Sequence, residues 1–325
     1  MRYRPLGKGS LTVSEISFGT WLTVGASVER TRATACVHAA LDHGITLFDT
    51  ANMYGAGGAE RVLGEALRMS GRSRDQYLIA TKVFNPVGDE PDRGLSAAQI
   101  VMQLDRSLER LGTDYIDLYQ CHRYDKETPL EETLEALDRT VKSGKVRSIG
   151  LSEWPVEKII AASDLTTANH WTPMTSSQPQ YSLLWRKPEA AVFDACCEHG
   201  LGNIVYGPLA QGVLTGKYKP GQPPPADSRA ANPKTNFTME TLGRKFRSDF
   251  LLAAVEQLNP IAADLGLTMT QLALAWVLRR VEVSSAIVGA SRPEQLGDSV
   301  SGSGIALPEE ALARIDAVLD AAVLR

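Results

Sequence analysis

Cysteine and histidine are scarce in this chain, at four and five residues among 325. The cysteines, Cys36, Cys121, Cys196 and Cys197, form no Cys-x-x-Cys pair, and the adjacent Cys196 and Cys197 are poorly placed to bond each other. That argues against a zinc ribbon or a disulfide scaffold and points to reduced thiols in a cytoplasmic protein. Among His38, His43, His122, His170 and His199, none is spaced to complete a metal site with His122, Asp49 and Cys121, so metal catalysis is not expected. No apolar run approaches the roughly 20 residues that span a bilayer. The start, Met1-Arg2-Tyr3-Arg4-Pro5-Leu6-Gly7, lacks the apolar core of a signal peptide. Charge of one sign never accumulates either. With 34 basic residues against 38 acidic ones and a net charge of −4, neither a nucleic acid nor an anionic membrane is an expected partner. A phosphate-binding glycine turn of the doubly wound type is also missing. Its one candidate, Gly55-Ala56-Gly57-Gly58-Ala59-Glu60, lacks the third glycine in register.

What is present is a large apolar fraction, 43%, distributed as short β-branched runs. They fall at Ser14–Gly19, Thr46–Thr50, Tyr77–Lys82, Ile116–His122, Arg147–Ser152, Thr175–Gln180, Asn203–Pro208 and Ser285–Gly289. Most are continuous rather than alternating, as parallel strands covered on both faces are. Helical stripes lie between them. Ile100, Leu104, Leu108 and Leu111 share a face, with Ser96 and Gln99 in capping-box positions and Gly112 as terminator. Leu130, Leu134, Leu137 and Val141 repeat the pattern up to Gly144. Further helices are predicted over 30–43, 59–70, 156–163, 188–199, 248–265 and 293–300, with two more, Met269–Arg280 and Pro308–Leu319, outside the alternation. Strand then helix, eight times, predicts an α/β fold, a (β/α)8 TIM barrel in one domain over residues 1–325. The longest irregular stretch, Leu209 to Arg247, contains Pro223-Pro224-Pro225 and follows the seventh strand, where a lid or binding loop belongs.

In such a barrel the C-terminal strand ends share one mouth. Asp49, Lys82 and His122 stand at the ends of the second, third and fourth runs, and Tyr54 follows Asp49 by five residues. Singly, each has a plainer use: a helix cap, a core aromatic, a strand-end charge, a structural histidine. Together they make an acid of a phenol. A neighbouring ammonium favours the phenolate and eases proton donation to a developing alkoxide, Asp49 holds Lys82, and His122 orients a carbonyl or relays the proton. Trp21, Met53, Tyr54, Trp154 and Tyr206 offer an aromatic and apolar rim, which favours aryl or medium-chain aldehydes and ketones over highly charged ones. The substrate pocket is therefore placed at Trp21, Tyr54, His122 and Trp154. Carbonyl reduction also needs a hydride, which no side chain supplies. Gly289-Ala290-Ser291-Arg292, followed by Pro293 as a helix opener, suits a phosphate at the eighth strand.

These residues carry a resemblance. From Leu6-Gly7 to Leu307-Pro308 the chain resembles the aldo-keto reductases. It does so through Phe48-Asp49-Thr50-Ala51-Asn52-Met53-Tyr54-Gly55, Ile149-Gly150-Leu151-Ser152, Tyr206-Gly207-Pro208-Leu209-Ala210-Gln211-Gly212-Val213-Leu214-Thr215-Gly216-Lys217-Tyr218 and Ile287-Val288-Gly289-Ala290-Ser291. Phe18-Gly19-Thr20-Trp21 and Gly289-Ala290-Ser291 are most similar to the branch holding bacterial reductases and voltage-gated potassium channel β subunits. The resemblance implies NADPH-dependent reduction of aldehydes or ketones, with Tyr54 as general acid assisted by Asp49, Lys82 and His122.

It also implies a cofactor path. Gly19, Thr20, Trp21 and Asp49 border it at the first strands. Ser152 and Gln178 hold the nicotinamide carboxamide, and Tyr206 stacks on the ring. Gly207, Pro208, Leu209, Gln211, Gly212 and Lys217 line the pyrophosphate, with Arg229 reaching in from the long loop. Gly289, Ser291 and Gln295 serve the adenosine end, and Arg292 meets a 2′-phosphate. Three departures stand out. Asp298-Ser299 replaces a common Glu-Asn pair at the adenine, Glu153 stands where relatives carry Arg or Asn, and Tyr206 replaces a frequent tryptophan.

The resemblance leaves a second class open, a redox-sensing regulatory subunit like the channel β subunits. Against it stand His122, which completes the catalytic set, and the short stretch before the first strand. The expected partner is a small-molecule carbonyl compound. Monomer and homo-oligomer both stay open.

Overall fold

The strands form where apolar runs meet short turns, and each helix lays its stripe over them. The computed structural model describes residues 1–89, 92–235 and 248–320. A hairpin, β1 (Tyr3–Pro5) and β2 (Thr12–Ser14), precedes the barrel. The barrel strands are β3 (Ile16–Gly19), β4 (Leu47–Asp49), β5 (Leu78–Val83), β6 (Ile116–Cys121), β7 (Val146–Ser152), β8 (Met174–Gln178), β9 (Gly202–Tyr206) and β10 (Val283–Val288). They pair in parallel in chain order, and β10 closes on β3. The predicted (β/α)8 barrel is the observed fold.

The outer helices are α1 (Arg30–Asp42), α2 (Gly58–Met69), α3 (Ala97–Leu111), α4 (Leu130–Lys142), α5 (Val156–Ala168), α6 (Val192–Glu198), α7 (Asp249–Glu256), α8 (Asn259–Asp264), α9 (Met269–Leu278), α10 (Glu294–Ser301) and α11 (Glu309–Leu319). The single helix predicted over 248–265 is two, α7 and α8. Pro260 lies in the first turn of α8, where its missing N–H costs nothing but where an unbroken helix would lose a bond and meet the ring. Half of the capping box at α3 forms. Ser96 Oγ accepts from Gln99 N, whereas Gln99 Nε2 turns to Asp92 Oδ1 at 3.3 Å. Gly112, at φ +62°, ends α3 as expected.

Strand alternation sorts the barrel interior into layers. At the N-terminal end Leu47, Ala80, Leu118 and Ile204 pack with Leu6 and Val13 from the hairpin, which plugs that end with apolar side chains. Arg4 pins the hairpin by donating to the carbonyls of Leu278, Arg280 and Val283. One repeat further along each strand the inward positions turn polar: Asp49, Lys82, Gln120 and Gln178 are all buried. The closed end is dry and the C-terminal end carries the chemistry. The main core lies between strands and helices.

The long segment after β9 begins with a helical turn at Ala210–Thr215. Positions 236–247 of the expected loop lie outside the described residues. Among the described residues no single helix is long and apolar enough to cross a membrane.

Candidate active site

The polar layer is built around a buried ion pair. Lys82 Nζ donates to Asp49 Oδ1 at 2.6 Å and to the Thr50 carbonyl at 2.8 Å, with Lys82 0% and Asp49 4% exposed. The other oxygen, Asp49 Oδ2, accepts from Gln178 Nε2 at 2.8 Å, reaching across the barrel from β8. Register explains the meeting, since Asp49 pairs with Ala80 and Lys82 with Gln120. β4, β5 and β6 are neighbours, as the spacing predicted.

Tyr54 comes from the turn between β4 and α2. Gly55, Ala56 and Gly57 all take positive φ, at 56°, 51° and 83°. A side chain on Gly55 would come within 2.5 Å of the Gly25 carbonyl oxygen, so glycine lets this turn lie against the Thr23–Ser27 segment. The unmatched glycine run of the sequence thus finds its use in fixing Tyr54. Its ring lies 5.6 Å from His122, edge to face, and 6.4 Å from Trp21, and Lys82 Nζ stands 5.2 Å from its centroid. Behind the turn, buried Glu60 at the start of α2 accepts from Thr81 Oγ1 at 2.5 Å and pairs with Arg110 of α3 at 2.6 Å. Helix, strand and turn are locked as a unit.

The sequence argument expected Lys82 to pull the phenol down. In the structure the Tyr54 pKa is pushed up, first by burial and then by Asp49, with Arg123 opposing. Lys82 faces the ring but gives its hydrogen bonds to Asp49 and Thr50, and burial dominates. Burial also draws the Lys82 ammonium down, against the restoring pull of Asp49. His122 is held well below 6.5 by burial, then by Lys82 and Arg123, and is neutral at pH 7. Asn85 Nδ2 lies 3.5 Å from His122 Nδ1. With the amide donating there, the ring proton sits on Nε2.

A stability consequence follows from His122. Its folded pKa lies below its unfolded value of about 6.5, so the unfolded chain takes the proton first as pH falls. The contribution is present above about 6.5 and is lost below it. Melting temperatures between about pH 7.5 and 5 should fall more steeply for the wild type than for His122→Asn. Equal slopes would remove His122 as the source.

Some of the expected cofactor residues lie at the ends of β7, β8 and β9. Ser152 pairs with Gln178 across β7 and β8 and donates to its carbonyl at 2.9 Å. Tyr206 ends β9, its phenol raised by burial and then by Glu153. Glu153, at φ +55°, also accepts from Gln180 N at 2.7 Å. Gly207 and Gly212 take φ of 68° and 92°, which bends the chain around Pro208, Leu209 and Gln211. Arg229 Nη1 donates to Gln211 Oε1. Lys217 is drawn down by burial and by Arg229 and Arg292, with Asp227 opposing, while burial also draws Arg229 down. Arg292 meets Asp227 at 3.1 Å. Among the described residues, Asp227 thus serves both Lys217 and Arg292, with Arg229 also close to Lys217, beside the buried, unpartnered Tyr218 OH and Ser228 Oγ. A diphosphate would satisfy that surplus charge and those free hydroxyls. At β3, Gly19 ends the strand, and Thr20 donates to Thr50 Oγ1 at 2.9 Å.

Other expected residues are occupied differently. Gln295 Oε1 accepts from the backbone of Ser291 at 2.9 Å and of Arg292 at 3.3 Å, capping the turn after Gly289. Ser299 donates back to the Gln295 carbonyl. Asp298 accepts from Thr268 Oγ1 at 2.8 Å and Gln271 Nε2 at 3.0 Å, which ties it to the start of α9. Trp154 is buried and lies 5.0 Å from Tyr124, edge to face, while Met53 is 38% exposed. Sequence reasoning missed Asn85, Arg123 and the Glu60–Arg110 pair. The one available signal was that Arg123 directly follows His122 at a strand end. Among the described residues no three His, Cys, Asp or Glu side chains converge.

Comparison with known proteins agrees with this geometry. The model of the aldo/keto reductase family matches residues 15–320. A protein of Arabidopsis thaliana named "Probable voltage-gated potassium channel subunit beta" is 38% identical over 301 residues, 92% of this chain and 90% of its own. One of the same name from Oryza sativa subsp. japonica is 37% identical over 322 residues, 98% of this chain and 97% of its own. A barrel with its polar layer at the C-terminal mouth, matched over nearly its full length, places this chain in the aldo/keto reductase family.

Proposed function

We propose that the protein reduces aldehydes or ketones to alcohols, taking hydride from NADPH and a proton from Tyr54. The observation that carries this reading is the buried Asp49–Lys82 pair against the Tyr54 ring, with neutral His122 edge to face with the same ring. A bound nicotinamide would supply the hydride. Ser152 and Gln178 would hold its carboxamide, and Tyr206 would offer it a flat face. His122 donates from Nε2 to the substrate oxygen and fixes its direction. As that oxygen gains charge Tyr54 gives up its proton, and Lys82 compensates the phenolate left behind. The layer's burial excludes bulk water, so these fixed charges act at low dielectric. The test is NADPH oxidation against a panel of aldehydes, ketones and sugars. Absence of turnover across the panel would end the proposal.

Lys217, Arg229 and Arg292 would hold the cofactor's phosphates, with Arg292 exchanging Asp227 for the 2′-phosphate. Arg292 is half exposed, so the gain is the lower end of a charge-assisted bond, about tenfold in Kd for NADPH over NADH. Arg292→Ala should weaken NADPH by that factor and leave NADH nearly unchanged. Equal loss for both cofactors would assign Arg292 to the shared diphosphate instead.

The names of the relatives favour a second reading, a redox-sensing regulatory subunit that uses the same pocket. A protein that binds NADPH tightly yet turns over none of the panel would support it. The first reading implies a small-molecule carbonyl partner and a cytoplasmic setting.

A further inference from the structure

Arg123 stands at the mouth with no assigned task. It follows His122 at the end of β6, is exposed, and folds back so that Nη1 donates to the His122 carbonyl at 2.9 Å. Its charge is felt at Tyr54, Lys82, His122 and Tyr206, which lie on four different segments around the opening. Among the described residues no carboxylate pairs with it. The nearby acids are engaged elsewhere. Asp49 is taken by Lys82 and Gln178. Glu153 is taken by Gln180 and Tyr206. Asp125, two residues on, accepts from Leu95 N and Thr128 Oγ1 at 2.8 Å and from Glu127 N at 2.9 Å.

The Asp49–Lys82 pair is neutral as a unit, so Arg123 leaves the substrate side of Tyr54 with uncompensated positive charge. A second free donor stands nearby. Trp154 Nε1 is buried with no acceptor, and the Trp154 ring rests on Tyr124, the residue after Arg123. Among the described residues the guanidinium meets no acceptor besides the His122 carbonyl, and the indole N–H, at the adjacent strand end, meets none. A planar anion matches that geometry.

We infer that the preferred substrate is a carbonyl compound bearing a carboxylate, which Arg123 receives while the carbonyl lies between Tyr54 and His122. This rests on the reductase reading and narrows it to oxo-acids and aldehydes with an acidic group. The aromatic rim read from the sequence disfavours highly charged substrates, and Arg123 admits a single carboxylate beside it.

The first arm compares kcat/KM for 4-carboxybenzaldehyde and benzaldehyde with NADPH. The wild type should favour the carboxylate by about tenfold, mainly through KM, since the guanidinium stays partly in water. Arg123→Gln should equalise the two, and Arg123→Lys should keep part of the preference. The second arm needs no turnover. Calorimetric titration should show benzoate binding about tenfold more tightly than benzamide, with the difference gone in Arg123→Gln. If benzoate bound no better than benzamide, or if Arg123→Gln kept the preference, the subsite would be refuted. If benzoate were preferred through Arg123 while neither aldehyde was reduced, the subsite would stand and the reductase reading would fall.

Discussion

Tyr54→Phe is expected to lower kcat for carbonyl reduction by about 10²–10⁴-fold and to leave NADPH affinity nearly unchanged. The substitution removes one hydroxyl and keeps the ring contacts with His122 and Trp21. Lys82, the cation that faces the ring, gives its hydrogen bonds to Asp49 and Thr50 rather than to the mouth. His122 is held neutral at pH 7 by burial and so carries no imidazolium proton to give, and burial raises the Cys121 thiol. The upward shift of Tyr54 sharpens the case. A phenol that burial and Asp49 keep protonated is a poor acid at rest and becomes a good one only as the substrate oxygen gains charge. The drop should therefore appear in kcat rather than KM, and it should persist across the pH range in which the wild type is active. Retention of more than about a tenth of the activity would show that Tyr54 is not the acid.

The fold was legible because parallel strands need apolar runs on both faces, and eight such runs stand between helical stripes. The catalytic cluster was legible for a related reason. Chemistry in a barrel sits at strand ends, and Asp49, Lys82 and His122 are polar residues closing apolar runs. What stayed hidden depends on contacts across the fold. The hairpin of β1 and β2 has three-residue strands, and it is stabilised by Leu6 and Val13 entering the barrel rather than by any local pattern. The helix break before Pro260 turned on one residue inside a long apolar periodicity. Glu60 and Arg110, fifty positions apart, read as surface charges until α2 and α3 bring them together. The direction of the Tyr54 shift was misjudged because sequence shows that a lysine is near but not where its hydrogen bonds go. Asp298, expected at an adenine, shows the same limit, since Thr268 and Gln271 claim its carboxylate.

Lys82→Met should carry the largest stability effect of any change in the mouth, about 3–5 kcal/mol, alongside loss of activity. The methionine fills similar volume, so packing changes little. Electrostatics changes a great deal, because Asp49 keeps its charge in a buried layer with Gln178 as its remaining side-chain partner. An uncompensated buried carboxylate is the costly outcome, whereas removing both charges of such a pair is often close to neutral. The double variant Asp49→Asn/Lys82→Met should therefore recover most of the lost stability, since the amide oxygen introduced in place of the carboxylate can still accept from Gln178 Nε2. It should recover no activity, because the phenolate of Tyr54 would lose the ammonium that faces its ring. Urea unfolding of the two single variants and the double one separates the roles. If the two losses simply added, Asp49 and Lys82 would not be coupled as the 2.6 Å contact requires. If the double variant regained turnover along with stability, the ammonium would serve only to keep Asp49 buried, and proton delivery by Tyr54 would need no help from it.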